Sequence, residues 1–385
     1  MQTWIAPLTV LLLLSGCAPG EVSSSQTATS RADTTGEVTG ATTPRGLVDG
    51  KNRRKTATDA VFAEFGDTSP GCAVGVVQRR RLAYQHAYGM ADLGARKPLT
   101  TASVFDIASV SKQITAGVVV ALVLDGSLSL EDNVREHLPR LPRARWRVSV
   151  ADLVHHTSGL PDYVDLLDAD FEDVTTADDA MDAIVEDGAA PAFRPGTRFE
   201  YSNTNYFLLG QIVEAALGDA LVEVAADRIF GPLGMAHTRI HDEQPALLDH
   251  QARGYAEAGD GWEIAFSGWR QTGDGAVHTT AADLLRWARL FLEPPTVRGV
   301  GSPPWRGIML APGPVPDTDG TGYGGGIILA EESGEQILVH SGAWIGTSAA
   351  LQVQPADGVA VAVLCNIDDL DAQSLAQSVI DIWTD

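Results

Sequence analysis

The stretch Phe105-Asp-Ile-Ala-Ser-Val-Ser-Lys112, continuing as Gln113-Ile-Thr-Ala-Gly-Val-Val-Val-Ala-Leu-Val-Leu124 and stopping at Asp125-Gly126, decides how the rest of the chain is read. Its apolar character is continuous rather than alternating, it is too long for an ordinary strand, and Gly126 supplies a stop. The pattern therefore predicts a buried helix from Ser109 to Leu124. Ser109 and Lys112 stand three apart at its start, which puts them on one helix face. A serine hydroxyl is a poor nucleophile by itself; an amine beside it can lower its pKa or accept its proton. The helix N-terminus adds N–H groups and a positive partial charge where an oxyanion would develop. A serine and a lysine at this spacing also occur by chance as a helix cap and a solvated cation, so the pair needs support from elsewhere.

Working outward, Gly71-Cys-Ala-Val-Gly-Val-Val-Gln78 and Arg81–Gly89 read as two strands of a hairpin, preceded by a short helix near Ala57–Phe65. Between about 130 and 300, helix-like segments alternate with Gly- and Pro-containing loops: Val150–His155, Thr176–Glu186, Tyr206–Ala216, Ala220–Phe230 and Ala281–Leu292. The last part changes character. Gly325–Glu332, Glu335–His340, Ser348–Gln354 and Val359–Cys365 read as strands, and a helix from about Leu370 to Trp383 closes the chain. Strands, a long helical insertion at about 109–300, then strands and a helix predict an α+β domain over 51–385, its two ends sharing one sheet.

The 385 residues suffice for a sizeable core, and 44% hydrophobic with 20% charged residues argues against general disorder. Fifty acidic against 27 basic residues give a net charge of −23, which repels phosphate backbones and argues against nucleic-acid partners. The apolar run Ile5–Leu14 is too short to span a bilayer and fits the core of an export signal, here 1–16. From 17 to about 50 the chain is rich in Ser, Thr and Gly without apolar periodicity, as expected of a flexible tether.

Two further places carry chemistry. Tyr201-Ser-Asn203 follows Pro195-Gly196 and precedes an apolar helix, so Tyr201 and Asn203 can both point into a cleft; as an isolated triplet it reads as a helix cap. His340-Ser-Gly-Ala343 ends a predicted strand, where Gly342 lets backbone approach a ligand closely. The order SxxK, YxN, HxG resembles the serine β-lactamase and penicillin-binding-protein superfamily, in the form of its class C branch and related esterases and D-peptidases. His156-Thr-Ser-Gly-Leu-Pro-Asp162, Pro232-Leu-Gly-Met235 and the Thr279–Leu285 segment add to the resemblance.

That resemblance implies an antiparallel five-stranded sheet flanked by helices, with a mainly helical subdomain. It implies that Ser109 forms an acyl-enzyme, with Lys112 and Tyr201 sharing the proton transfers. Asn203, His340, Ser341 and Gly342 would bind substrate, and the N–H groups of Ser109 and Ala343 would form the oxyanion hole. The departure is His340: a lysine there would be a lasting cation, whereas a histidine is mostly neutral at neutral pH and holds a carboxylate poorly. Small esters or D-amino-acid amides are therefore expected over β-lactams. A class C-type β-lactamase or D-Ala-D-Ala carboxypeptidase, and a non-catalytic binder of peptidoglycan fragments or penicillin, are the alternatives.

No cofactor is expected. His237 and His241 stand four apart without a third ligand in sight, so no metal site is expected either. Cys72 and Cys365 read as buried thiols or a disulfide; the resemblance places the first strand beside the last, which would bring them near each other.

Leu14-Ser-Gly-Cys17 resembles the lipobox of bacterial lipoproteins, although no Lys or Arg precedes the apolar run. It implies lipidation of Cys17, with the domain exported and held at the outer side of a cell membrane. Palmitate is expected to label the wild-type chain and not Cys17→Ala; label on the variant would remove this reading.

Overall fold

The computed structural model describes residues 45–292, 299–317 and 319–384, with residues 45–51 described by backbone alone. The apolar runs at the two ends of the chain pair into one antiparallel sheet. The hairpin β1 (Cys72–Gln78) and β2 (Arg81–Tyr88) is joined by β3 (Gly322–Tyr323), β4 (Ile328–Glu332), β5 (Glu335–Trp344), β6 (Thr347–Gln354) and β7 (Val359–Cys365). Their order is β3-β4-β5-β6-β7-β1-β2, so the first strand lies against the last. The sheet thus has seven strands where five were expected. Ile328–Glu332 and Gly322–Tyr323 are added outside β5, pairing an edge that would otherwise be open.

Five helices frame the sheet and the site: α1 (Arg45–Val61), α2 (Lys112–Asp125), α3 (Asn203–Leu217), α4 (Ala281–Leu292) and α5 (Ala372–Thr384). Both sheet faces are covered, which explains strands that are apolar throughout. Along β7, Ala360, Ala362 and Leu364 face the side covered by α4, while Val359, Val361 and Val363 pack with Phe62, just beyond α1, and with Val379 and Trp383 of α5.

Helix α2 is buried nearly all round, as its unbroken apolar run requires. By length and composition Ala108–Asp125 would suit a bilayer, but here it is the core helix. It opens with a 3-10 turn, Ala108–Ser111, and ends on Gly126 at φ 82°. Midway, the ring of Trp287 lies where any Cβ on Gly117 would come within 2.6 Å, so only glycine fits there.

Two expectations need correction. Helix α1 begins at Arg45, inside the stretch expected as tether; the leader, Cys17 and residues up to 44 lie outside the described residues. The insertion at 109–300, expected as mainly helical, also holds short strands. Val277–Thr279 pairs with both Phe105–Asp106 and Arg239–Ile240, and Tyr255–Ala258 pairs with Gly261–Ile264. Strands of two to four residues are too short to show a period of two in sequence.

Cys72 stands opposite Cys365 in the β1–β7 register, and the two are joined by a disulfide. It closes a loop of 293 residues in sequence separation. Native disulfides typically contribute about 2–4 kcal/mol, which in a domain of this size corresponds to about 3–6 °C in Tm. Replacing both cysteines by alanine is expected to lower Tm by that amount. In protein lacking Cys17, thiol titration of the denatured wild type is expected to find no thiol before reduction and two after.

Candidate active site

The 3-10 turn carrying Ser109 is held from both sides. Asp106 accepts the Ala108 N–H at 2.8 Å, and Ala108 sits at φ 44°, a left-handed conformation uncommon for alanine and concentrated at functional sites. One turn on, Lys112 is fully buried, 0% exposed. Its Nζ donates to Ser109 Oγ at 3.0 Å, Asn203 Oδ1 at 2.8 Å and the Asp274 carbonyl at 2.9 Å. An ammonium has three N–H donors, and all three are used. Because Ser109 Oγ accepts from Lys112, its own proton is free to point elsewhere.

Helix α3 begins at Asn203 and brings that side chain to Lys112. Asp162 fixes it there, accepting the Asn203 backbone N–H at 2.8 Å and its Nδ2–H at 3.1 Å. Asp274, whose carbonyl holds Lys112, accepts the Tyr163 hydroxyl at 2.8 Å through Oδ2, while its buried Oδ1 has no partner among the described residues. Burial pushes the Asp274 carboxyl up to about 6, against the lowering pull of the Lys112 charge. Burial likewise raises Asp162, opposed by hydrogen bonds from Asn203 and Val164 and by Lys112.

Tyr201 is 40% exposed at the mouth of the site. Lys112 Nζ lies 4.9 Å from its ring centroid, so the phenol has a buried cation on one side. His156 stacks on the same ring at 4.3 Å with 26° between planes.

The end of β5 closes the site. A Cβ on Gly342 would stand 2.5 Å from the Ile107 carbonyl and 2.8 Å from Ser109 N, so only glycine lets the strand run against the Ser109 turn. This brings the backbone on either side of Gly342, including Ser341 and the exposed Ala343, beside the Ser109 amide. His340 is 4% exposed and has both nitrogens engaged: the Tyr323 hydroxyl donates to Nε2 at 3.0 Å, and Nδ1–H donates to the Ser341 carbonyl at 2.6 Å. Burial first, then the Lys112 charge, push His340 down to about 4. Placed by sequence among the substrate-binding groups, it offers no free nitrogen to a substrate in this arrangement. Between Phe105–Asp106 and the Ile345–Thr347 turn opens a pocket of about 470 Å³ with Leu247, Ile264 and Phe266 on its walls; none of Ser109, Lys112, Tyr201, Asn203 and Ala343 lines it.

Residues 58–382 match the protein-family model named Beta-lactamase. The chain belongs to that family. Among its curated relatives, Penicillin-binding protein 4* of Bacillus subtilis (strain 168) is 32% identical over 288 residues, covering 69% of this chain and 61% of the relative. A D-aminopeptidase of Brucella anthropi is 32% identical over 283 residues, covering 72% and 52%. The chain thus spans about half to three-fifths of the length of these relatives. The octameric penicillin-binding protein homologue from Pyrococcus abyssi shares the fold, with a TM-score of 0.73 at 24% identity over 88% of this chain and 76% of that one.

Sequence reading of this family member missed several residues at the site. Asp162 lies at the end of the His156–Asp162 segment but signals nothing alone, and Asp274 and Tyr323 lie in Gly-rich stretches of sequence without a pattern. His237 and His241 do not converge: His237 faces Asp283 at 3.8 Å, whereas His241 donates to the Ala246 carbonyl.

The buried imidazole of His340 has a consequence for stability. Its folded value lies below the unfolded value of about 6.5, so the unfolded chain binds the proton more readily, and stability is lost as pH falls from about 6.5 towards 4. Asp274 works oppositely, its contribution fading as pH rises through about 6. His340→Gln is therefore expected to flatten the fall in Tm between pH 7 and pH 5, read by scanning fluorimetry. An unchanged slope would show that His340 is not buried as neutral imidazole.

Proposed function

We propose that this protein is a serine hydrolase that cleaves a small ester or a D-amino-acid amide through an acyl-enzyme on Ser109. The observation that carries the reading is His340, neutral and bonded at both nitrogens where a lasting cation would be needed to hold a carboxylate. The net charge of −23 adds no attraction for anionic substrates. The relationship to a D-aminopeptidase supports an amide substrate.

In this reading Ser109 Oγ attacks the substrate carbonyl carbon, and its proton passes through Tyr201 into the network that Tyr201 shares with Lys112. Lys112, held by its three acceptors, stands beside both Ser109 Oγ and the Tyr201 ring. The N–H groups of Ser109 and Ala343 stabilise the oxyanion. Collapse of the tetrahedral intermediate breaks the bond to the alcohol or amine, which takes the proton from Tyr201. Water then attacks the acyl-Ser109 ester and gives a proton to Tyr201; the acid departs, and Ser109 regains its proton. Asn203, held by Asp162, both fixes Lys112 and hydrogen-bonds the substrate amide. With lipid on Cys17, the enzyme would act at the outer side of the cell membrane on small molecules or peptides.

A panel of p-nitrophenyl acetate, D-alanine p-nitroanilide, a D-Ala-D-Ala peptide and nitrocefin tests this. The first two are expected to be turned over, with kcat/KM at least about 100-fold above nitrocefin. Ser109→Ala should abolish all turnover and fluorophosphonate labelling. His340→Lys should improve KM for the carboxylate-bearing substrates by about tenfold, the scale of one hydrogen bond to a charged group. Rapid nitrocefin turnover by the wild type would favour a β-lactamase, and penicillin labelling without turnover of any substrate a binding protein.

A further inference from the structure

Against Tyr201 lies a histidine to which the reaction assigns no step, His156. It sits at φ 53°, and its side chain is completely buried. Its backbone carbonyl accepts the N–H of Glu200 at 2.9 Å, and its Nδ1 accepts the N–H of Ser202 at 3.2 Å. These are the residues on either side of Tyr201, on whose own ring the imidazole stacks at 4.3 Å. Nδ1 also accepts from Asn205 Nδ2 at 3.0 Å, and Asn205 sits in the first turn of α3. One residue thus holds Tyr201 by both flanking amides and by its ring.

The hydrogen bonds define the state of the imidazole. A nitrogen that accepts two N–H groups carries no proton, so the proton is on Nε2. Nε2 is buried and has no hydrogen-bond partner among the described residues; the rings of Tyr323 and Phe199 stand T-shaped to the imidazole at 4.8 Å and 6.0 Å. Protonating Nδ1 would break two hydrogen bonds and add a cation beside Lys112. The charged and titratable groups around His156 are Lys112, His340, His155, Tyr201, Tyr206 and Tyr323, and burial with the first three of these holds its pKa well below the usual value. The ring serves as a neutral spacer and clamp. It exchanges no proton.

We infer that His156 is a positioning residue whose side chain holds the otherwise exposed phenol of Tyr201 in the orientation that receives the Ser109 proton. A phenol 40% exposed on a loop would otherwise gain rotamers that face solvent, and each would be unproductive. The inference rests on Tyr201 being the proton-transfer group.

Steady-state kinetics on p-nitrophenyl acetate test it in four proteins: wild type, His156→Asn, Tyr201→Phe and the double variant. Asparagine tolerates positive φ and keeps an acceptor near Nδ1, so the fold should persist while the stacked ring is removed. His156→Asn is expected to lower kcat at least about tenfold with KM within about threefold, and to cost nothing further in the Tyr201→Phe background. His156→Phe, which restores a ring, should regain part of the lost kcat. An His156→Asn protein with kcat within twofold of wild type would overturn the inference, as would an equal loss in both backgrounds. If Tyr201→Phe alone keeps wild-type kcat, the assignment of Tyr201 fails instead, and the two failures are distinguishable.

Discussion

An ammonium group with no access to water organises this protein. Removing Lys112 from solvent costs several kcal/mol, offset only if every N–H finds an acceptor and the surroundings carry compensating charge. The acceptors come from three distant parts of the chain: Ser109 one turn away, Asn203 at the head of α3, and the Asp274 carbonyl. Two of them are in turn fixed by a neighbour, Asp106 behind the Ser109 turn and Asp162 behind Asn203. The helical insertion and the sheet are thereby drawn together at one charged atom. Two buried carboxyls, Asp162 and Asp274, feel its field, and burial keeps both from being ordinary acids.

Much of this was legible in the sequence, for physical reasons. A buried helix and strands covered on both faces are made of unbroken apolar runs, and such runs show in one dimension; β1, β6, β7 and α4 lie within a residue of where their patterns end, and α2 follows the 3-10 turn that carries Ser109. Ser109 and Lys112 were legible because i and i+3 share a helix face. Tyr201 and Asn203 were named by resemblance, and the geometry adds how Asn203 meets Lys112. Asp274 was not legible: it touches Lys112 through a backbone carbonyl, which any residue possesses. Tyr323 was missed because its partner His340 is 17 residues away on another strand. The outermost strand of the sheet escaped because a two-residue pairing has no period.

His340 shows how environment can change what a residue type stands for. In sequence it is a titratable group in a substrate-binding motif. In the fold, Tyr323 and the Ser341 carbonyl use both nitrogens, and proximity to Lys112 makes a second cation unfavourable. Cation and imidazole therefore divide the work, one charged and one neutral, and the cleft presents less positive charge than its motif suggests. His156 repeats the pattern on the other side of Tyr201.

The link between Cys72 and Cys365 joins the first strand of the sheet to the last. Topologically the domain is a covalent ring with α1 and α5 as short arms. Behind the sheet these arms are also tied, Trp383 donating to the Thr58 hydroxyl at 3.0 Å. A protease that nicks any surface loop between residues 72 and 365 would open the ring without releasing a fragment. Ser109 on one side of the cut and His340 on the other would stay tethered to the same sheet. The folded domain would thus outlast a first cleavage as a two-chain molecule.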